Sequence, residues 1–531
     1  MTVLRVLGVH SLAGENLPGI GIPYRVINPT TGENLEGDFY DGTPDQVDKA
    51  MQAADSAYRT LFTREDGWQA DFLEALATAI DASAEPLIAR ASLESALPEG
   101  RLKGELVRTT SQLQLLASVV REGSWVEAVI DSALPERKPV GRPDIRRMQM
   151  PLGPVVVFDA VNFPFAFGAC GNDTAAAVAA GCPVVVKSHP SHAGTDELFA
   201  NIVAEVIERH HLPRGLFSLV HGKSNEVSRL LVEHPCTAAI GFTGSFAGGS
   251  AVAAIAAART HPIPVFAEMG SINPLFILPG ALKARPQMLA EGLHTSVNLG
   301  VGQFCTKPGV VFAVEGDGIT EFTSALHSAF DATTAATMLN KKIRDSFVAT
   351  GNSHFNICGV VSNTYFDTDA FAGVVPWILQ ITSDQWRSYS ELHEEAFGPG
   401  TIVVTCENTT DILQCARAMD GQLTASIQCE LDLDGKLLQE MLPILANFAG
   451  RVVYNGFPTG VEVCHAMVHG GPHPATTSSQ SSSVGTASII RFTRPVCMQN
   501  VPDALLPRAL QRGNPQNILR QVNGQFTRDT A

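Results

Sequence analysis

PVVVFD (154–159), FGACGNDTAAAVAAG (167–181), PVVVKS (183–188) and DELFANIVAEVIERHH (196–211) follow one another in a regular alternation. The first and third are short β-branched runs. The second is alanine-rich and ends at Gly181. The fourth repeats apolar residues at helical spacing, through Phe199, Val203, Val206 and Ile207. LFSLV (216–220), a helical run from Asn225 to Glu233, AAIGFTG (238–244), SAVAAIAAAR (250–259) and PVFAEMG (264–270) continue the pattern. Strand runs separated by helical runs imply βαβ units, which require a parallel sheet covered on both faces. The fold class is therefore α/β. Such a sheet binds its ligands outside the carboxyl ends of its strands.

Outward from this core, residues 44–135 read as helical, with apolar residues three and four apart and Pro135 as the stop. PVGRPDIRRMQM (139–150) alternates like an extended arm. A second α/β stretch follows Gly270 and runs to about residue 470. HGGPHPATTSSQSSSVGT (469–486) reads as a loop long enough to be functional or connecting. ASIIRFTRPVCMQ (487–499) alternates like a strand, and residues 500–531 form a polar tail with prolines.

The chain has 531 residues, of which 45% are hydrophobic and 17% charged, so dominant disorder is excluded. Lys plus Arg is 37 and Asp plus Glu is 53, a net charge of −16. No basic face is visible, which argues against nucleic acid as a partner. The ten cysteines include no C-x-x-C pair, and most read as buried free thiols of a reducing compartment. MTVLRVLGVHSLAG at the N-terminus lacks the basic and apolar regions of a signal peptide. No apolar window is long enough to span a membrane. The expected location is the cytoplasm.

No G-x-G-x-x-G, Walker loop, G-x-S-x-G elbow or H-E-x-x-H is present. IGFTGSFAGGSA (240–251) passes from strand through Gly244 and Ser245 to Gly249 and an alanine-rich helix. Its free backbone N–H groups suit a phosphate, although tight strand-to-helix turns of this kind also serve packing alone. Cys305 lies between glycines in GVGQFCTKPG, the context of an accessible nucleophile or of a packed loop thiol. Glu268, at the end of the apolar run VFAE, reads either as a general base or as a salt-bridged carboxylate. His10, His210, His211, His469 and His473 are scattered without ligand spacing and read as structural or solvated, so no metal site is expected.

Taken in order, these windows resemble the aldehyde dehydrogenase superfamily. AVNFP (160–164), VVVKSHP (184–190), GFTGSFAGG (241–249), EMGSINP (268–274), GQFCT (302–306) and EEAFGP (394–399) match its asparagine, lysine, phosphate-turn, glutamate, nucleophile and E-x-F-G-P motifs. ESALPEGRLKGELVRT (94–109), residues 166–195 and residues 482–507 resemble the NADP-dependent 2-oxoglutarate semialdehyde (2,5-dioxopentanoate) dehydrogenases. NADP-dependent fatty aldehyde dehydrogenases share much of this pattern and are the alternative.

The resemblance implies Cys305 as nucleophile, Asn162 as oxyanion donor and Glu268 as the base that activates water. It implies contacts to the cofactor from Lys187, Lys223, Gly244, Ser245, Gly249, Gly270, Glu395 and Phe397. It places Arg108, Phe165, Phe167 and Phe457 along the substrate tunnel. Two departures bear on the cofactor. Val161 stands where the family usually has tryptophan, and Pro190 stands where NAD-preferring members often carry glutamate. Loss of that carboxylate removes repulsion of a 2′-phosphate, so NADP is favoured with NAD still possible. Glu268 argues against CoA-acylating members, which typically lack it. Retention of the cysteine, asparagine and both glutamates argues against a non-catalytic structural protein. The family organisation implies a cofactor domain over 1–126 and 148–267 and a catalytic domain over 268–474. An oligomerisation arm would span 127–147 and 475–500, with 501–531 as a tail. The implied assembly is a homodimer or homotetramer acting on a small-molecule aldehyde.

Overall fold

Val155–Phe158 is a four-residue β-branched and aromatic strand that is buried throughout. In the computed structural model, which describes residues 5–64, 67–358, 368 and 370–531, it lies inside a seven-stranded sheet. The order across that sheet is Glu15–Pro18, Val9–Leu12, Phe217–Val220, Val184–Lys187, Val155–Phe158, Ala239–Thr243 and Val265–Glu268. The last five are mutually parallel, and an antiparallel N-terminal hairpin closes one edge. The chain winds outward from Val155–Phe158 in both directions. Its carboxyl end is therefore the topological switch point, where crossovers diverge and leave a crevice.

A second sheet of six parallel strands runs Trp377–Thr382, Gly400–Cys406, Val310–Val314, Leu275–Ile277, Gln422–Gln428 and Ala449–Tyr454. The loop after Gly470 joins the two layers. Met269 N donates to Ala475 O at 2.8 Å and Thr477 N to Ala267 O at 3.2 Å, so this Ser/Thr-rich segment covers the open edge of Val265–Glu268.

Three regions differ from the sequence reading. The helical region ends at Glu122, not Pro135. Gly123, at φ 81°, terminates the helix Glu99–Glu122 in the left-handed conformation, and the strand Val129–Asp131 follows. Residues Thr486–Phe492 form a 3₁₀ segment, and only Thr493–Gln499 is strand. That strand pairs antiparallel with Ile145–Pro151, which pairs with Val129–Asp131. The polar tail adds strands to this sheet. Arg520–Val522 pairs parallel with Val129–Asp131 and antiparallel with Gln525–Thr527, completing a five-stranded sheet. Leu506, Leu510 and Ile518 build a small core with Val126 and Ala128. The four N-terminal residues Met1–Leu4 lie outside the described residues.

Arg146 fastens the tail. It is buried, reaches Asp144 at 2.7 Å and Asp503 at 2.6 Å, and donates to Leu510 O at 2.6 Å. Arg146→Ala should lower unfolding stability by roughly 2–3 kcal/mol, since Asp503 is half exposed and rehydrates. Urea unfolding, together with limited proteolysis of the last thirty or so residues, checks this. An unchanged midpoint and an uncleaved tail would contradict it.

Candidate active site

The loop that carries Cys305 is shaped by close backbone approach. Gly300, Val301 and Gly302 all have left-handed φ, at 57°, 57° and 66°. A Cβ on Gly302 would lie 2.2 Å from Gly398 O, so only glycine lets this loop pack on the EEAFGP segment. Val301 is β-branched and strained at this φ, and the surrounding contacts hold it there. Those contacts centre on Asn273, in the EMGSINP segment. Its Nδ2 donates to Ser271 O at 3.0 Å, Cys305 O at 2.8 Å and Lys307 O at 3.0 Å. Gln422 Oε1 in turn accepts from Ser271 Oγ and from the N–H groups of Ile272 and Asn273.

Asn162 comes from the loop after Val155–Phe158. Arg101 donates to Asn162 O at 2.8 Å, and Glu105 accepts from Phe165 N and Ala166 N at 2.8 and 3.0 Å. Arg101 and Glu105 pair with each other on one helix face. Asn162 Nδ2 donates to Gln303 O at 3.0 Å, so the asparagine amide meets the nucleophile loop two residues before Cys305. Its second N–H remains free for a developing oxyanion.

Glu268 ends the edge strand Val265–Glu268 and is 3% exposed. Burial pushes its carboxyl up to about 8, opposed by Arg491 and reinforced by Asp173. Its Oε2 has no hydrogen-bond partner. Cys305 is half-buried. Burial, with Glu395 and Glu268 nearby, pushes its thiol up to about 12, while Arg108 and Arg451 act the other way. Its sulfur lies 3.4 Å from His469 Nε2. His469 is buried and held down to about 3 by burial and by Arg108, Arg451 and Arg491. The resting pair is therefore a neutral thiol beside a neutral imidazole. In sequence, His469 is one of several histidines without ligand spacing. Only the fold brings it to Cys305, and its place before the double glycine at 470–471 was the available signal.

Around the switch-point crevice, Lys187 ends its strand, donates to Gly222 O and is pushed down to about 8 by burial. Ser245 caps the helix Phe246–Ala258, accepting from Gly248 N at 3.2 Å. Gly244 and Ser245 are exposed, so the helix N-terminus is open to an anion. Gly249 faces the other way. A Cβ there would lie 2.6 Å from Met269 Sδ, so its smallness serves helix–strand packing. Lys223 is exposed, and its backbone N–H donates to Asp41. Gly270 makes room for Glu395, whose Oε2 would lie 2.2 Å from a Cβ at that position. Burial raises the Glu395 carboxyl and Lys307 opposes it. Phe397 is half-buried in the same segment. Neither oxygen of Asp159, nor Glu395 Oε1, has a hydrogen-bond partner, although all three are shut off from solvent. Orphaned acceptors beside an open helix N-terminus and a buried lysine fit a phosphorylated, hydroxyl-bearing cofactor. Among the described residues no cluster of metal-binding side chains occurs.

The tunnel residues divide. Phe167 joins Phe163 at 5.7 Å between ring centroids and His469 at 6.2 Å, and packs in a cluster with Val461, Val463 and Met467. Arg108 lies over the Phe163 and Phe167 rings at 5.9 and 5.6 Å. Its Nε donates to Val461 O at 3.4 Å, and its buried Nη1 has no partner. Phe165 is not a tunnel residue. It is fully buried in the core against Phe199, whereas Phe163 meets Phe167 and Phe304. The Phe457 ring fills the notch at Gly292 on the helix Pro286–Asn298. Sequence reading missed Arg451, which grips the same loop through Pro458 O and Gly460 O.

Residues 21–491 match the model of the aldehyde dehydrogenase family. The chain is 41% identical over 527 residues to alpha-ketoglutaric semialdehyde dehydrogenase 2 of Azospirillum brasilense, covering 98% of this chain and all of that protein. It is 41% identical over 524 residues to alpha-ketoglutaric semialdehyde dehydrogenase of Acinetobacter baylyi, covering 98% of this chain and 99% of that one. Among solved structures, a 3,6-anhydro-L-galactose dehydrogenase in complex with NAP superposes with a TM-score of 0.79 at 19% identity, over 93% of this chain and 100% of that one. A lactaldehyde dehydrogenase from Escherichia coli does so with a TM-score of 0.79 at 20% identity, over 93% and 99%. With this match over nearly its whole length, the chain belongs to the aldehyde dehydrogenase family and is an aldehyde-oxidising oxidoreductase.

Proposed function

We propose that this enzyme oxidises 2-oxoglutarate semialdehyde to 2-oxoglutarate through a thioester on Cys305, with NADP as electron acceptor. The observation that carries the mechanism is the convergence on Cys305. His469 Nε2 is 3.4 Å from its sulfur, and the Asn162 amide is tied to Gln303 O beside it. The thiol proton passes to His469 Nε2 as sulfur bonds to the aldehyde carbon, so the charges that develop are an imidazolium and an oxyanion formed together rather than an isolated thiolate. The Asn162 amide and the Cys305 N–H receive the carbonyl oxygen, each contact contributing roughly 3–4 kcal/mol in the transition state. When bound, a nicotinamide cofactor supplies the hydride acceptor. Glu268 takes a proton from water, which opens the resulting thioester, and the departing sulfur recovers its proton.

Lys187, Lys223, the Gly244–Ser245 turn, Glu395 and Phe397 are the residues that would hold that cofactor. NADP is supported by Pro190 in place of an acidic residue near the adenosine ribose. The substrate assignment is supported by the two relatives at 41% identity. It is also supported by Arg108, whose unpartnered Nη1 beside Phe163 and Phe167 suits the far carboxylate. Thr493–Gln499 is an unpaired edge of its sheet, which fits pairing with a second copy in a homodimer or homotetramer. Cofactor, catalytic and arm regions with the boundaries given above, and a cytoplasmic location, complete this reading.

Cys305→Ala should abolish turnover in a folded protein. Glu268→Gln should leave an NADPH burst but slow the steady state by on the order of a hundredfold or more. Because Glu268 works only as the carboxylate, wild-type deacylation should rise with pH through about 8. Rapid-mixing kinetics across pH check both points. A burst slowed as much as the steady state, or a deacylation limb in the ordinary carboxylate range, contradicts the assignment.

Arg108→Ala should raise KM for 2,5-dioxopentanoate about tenfold or more and leave a neutral aldehyde of similar length nearly unaffected. Steady-state kinetics with both substrates decide this, and a wild-type preference for long neutral aldehydes would favour a fatty aldehyde instead. Pro190→Glu should weaken NADP about tenfold more than NAD, through charge repulsion at the 2′-phosphate. Equal weakening in titrations of both cofactors would place the ribose elsewhere.

A further inference from the structure

Arg491 is fully buried in the 3₁₀ segment Thr486–Phe492, more than 180 residues along the chain from both Glu268 and Cys305. Its Nη1 is 2.7 Å from Asp173 Oδ1, and its Nη2 donates to Phe266 O at 2.7 Å. The same Nη2 lies 3.8 Å from Glu268 Oε1, beyond a hydrogen bond but within an ion-pair contact. The guanidinium carbon lies 5.3 Å from the Phe266 ring and 5.9 Å from the Phe492 ring, which holds its plane in place. Asp173 comes from the start of the helix Asn172–Ala180 and meets Nη1, whereas Glu268 faces Nη2.

We propose that Arg491 is the positioning residue of the general base, its guanidinium shared between Asp173, which anchors it, and Glu268, which it steadies without capturing. This rests on Glu268 being the base that activates water. Hydrogen bonds from Nη1 to Asp173 and from Nη2 to Phe266 O fix Arg491, so the carboxylate keeps Oε2 free of partners while a cation stands 3.8 Å from Oε1. A direct bidentate pair would stabilise the carboxylate and block its access to water. An isolated carboxyl at this depth would stay protonated. The charged and titratable groups facing Glu268 are Arg491, Asp173 and Cys305. The first favours the carboxylate and Asp173 opposes it.

This arrangement makes two substitutions act with opposite sign. Arg491→Met removes the cation, so the deacylation limb of the pH profile should move to higher pH. Asp173→Asn removes the competing anion, so the limb should move to lower pH. One pH unit corresponds to about tenfold in rate on the sloping side of the limb. Arg491→Lys keeps the charge but cannot bond Asp173 and Phe266 O together, and should fall between wild type and Arg491→Met. The holoenzyme is mixed rapidly with NADP and aldehyde between pH 6 and 10, and the burst is separated from the steady state. Expected are a retained burst and limb shifts in opposite directions. If Arg491→Met fails to fold, Asp173→Asn and Arg491→Lys still decide by their directions. Shifts of the same sign, unshifted limbs, or equal loss of burst and steady state would overturn the assignment and leave Arg491 a packing residue. Glu268→Gln run in parallel separates the two levels. If it slows burst and steady state alike, the base itself is misassigned, and the role of Arg491 falls with it.

Discussion

The side-chain amide of Asn273 holds the active site in register. It sits at a left-handed φ of 48° and directs two N–H bonds at three carbonyls, those of Ser271, Cys305 and Lys307. Asparagine tolerates that φ and supplies the donors, whereas glycine would supply only the conformation. Through it, the segment after the base and the loop of the nucleophile become one rigid body. Gln422 carries the same linkage into the second sheet. The base ends an edge strand of one sheet and the nucleophile lies in a loop, so their separation depends on these few buried bonds more than on either sheet.

The electrostatics follow from the same burial. Lys187, Glu268, Cys305 and His469 are all displaced toward their neutral forms, and burial is the leading cause in each. A resting site of neutral groups suits an uncharged electrophile, and the proton transfers then accompany bond making. The cations near Cys305 do not reverse this. Among the described residues, Arg108 and Arg451 make no ion pair with a carboxylate, and their positive charge is spread over loop carbonyls and aromatic faces. A substrate that brings its own carboxylate to this end of the tunnel meets a positive environment. A long alkyl chain does not exploit it.

Legibility in the sequence tracked locality. The parallel sheet was readable because each strand is a short apolar run bounded by helical periodicity, and Lys187, Ser245 and Glu268 fall at strand or helix ends where a ligand approaches. Phe165 was misread because alternation within an irregular loop has no fixed period. Its ring turns into the core beside Phe199, while Phe163 and Phe167, two residues to either side, meet each other. The packing of Phe457 was not legible either, since the notch it fills is made by Gly292, more than 160 residues earlier. His469 and Arg491 act through contacts with residues remote in sequence, Cys305 and Glu268, and the double glycine after His469 was too slight a signal to place it. Arg451 acts closer by, on the 458–460 carbonyls, but its turn back onto them has no sequence period. The place of the polar tail in the fold was not legible because its anchor is likewise non-local, through Arg146.

These non-local contacts share one origin. Residues Ala475–Thr477 pair on the edge strand that ends at Glu268. A few residues before them stands His469, at Cys305. A few residues after them stands Arg491, behind Glu268. One C-terminal passage thus touches nucleophile and base in turn before entering the arm strand Thr493–Gln499. Its low-complexity sequence is a consequence of that path. Small hydroxylated residues can accept bonds from backbone N–H groups, as Ser482 Oγ does from His469 N and Thr477 Oγ1 from Ala267 N. A bulkier sequence could not thread between two sheets at the edge of a catalytic crevice. The segment least informative by composition is therefore the one that closes the active site.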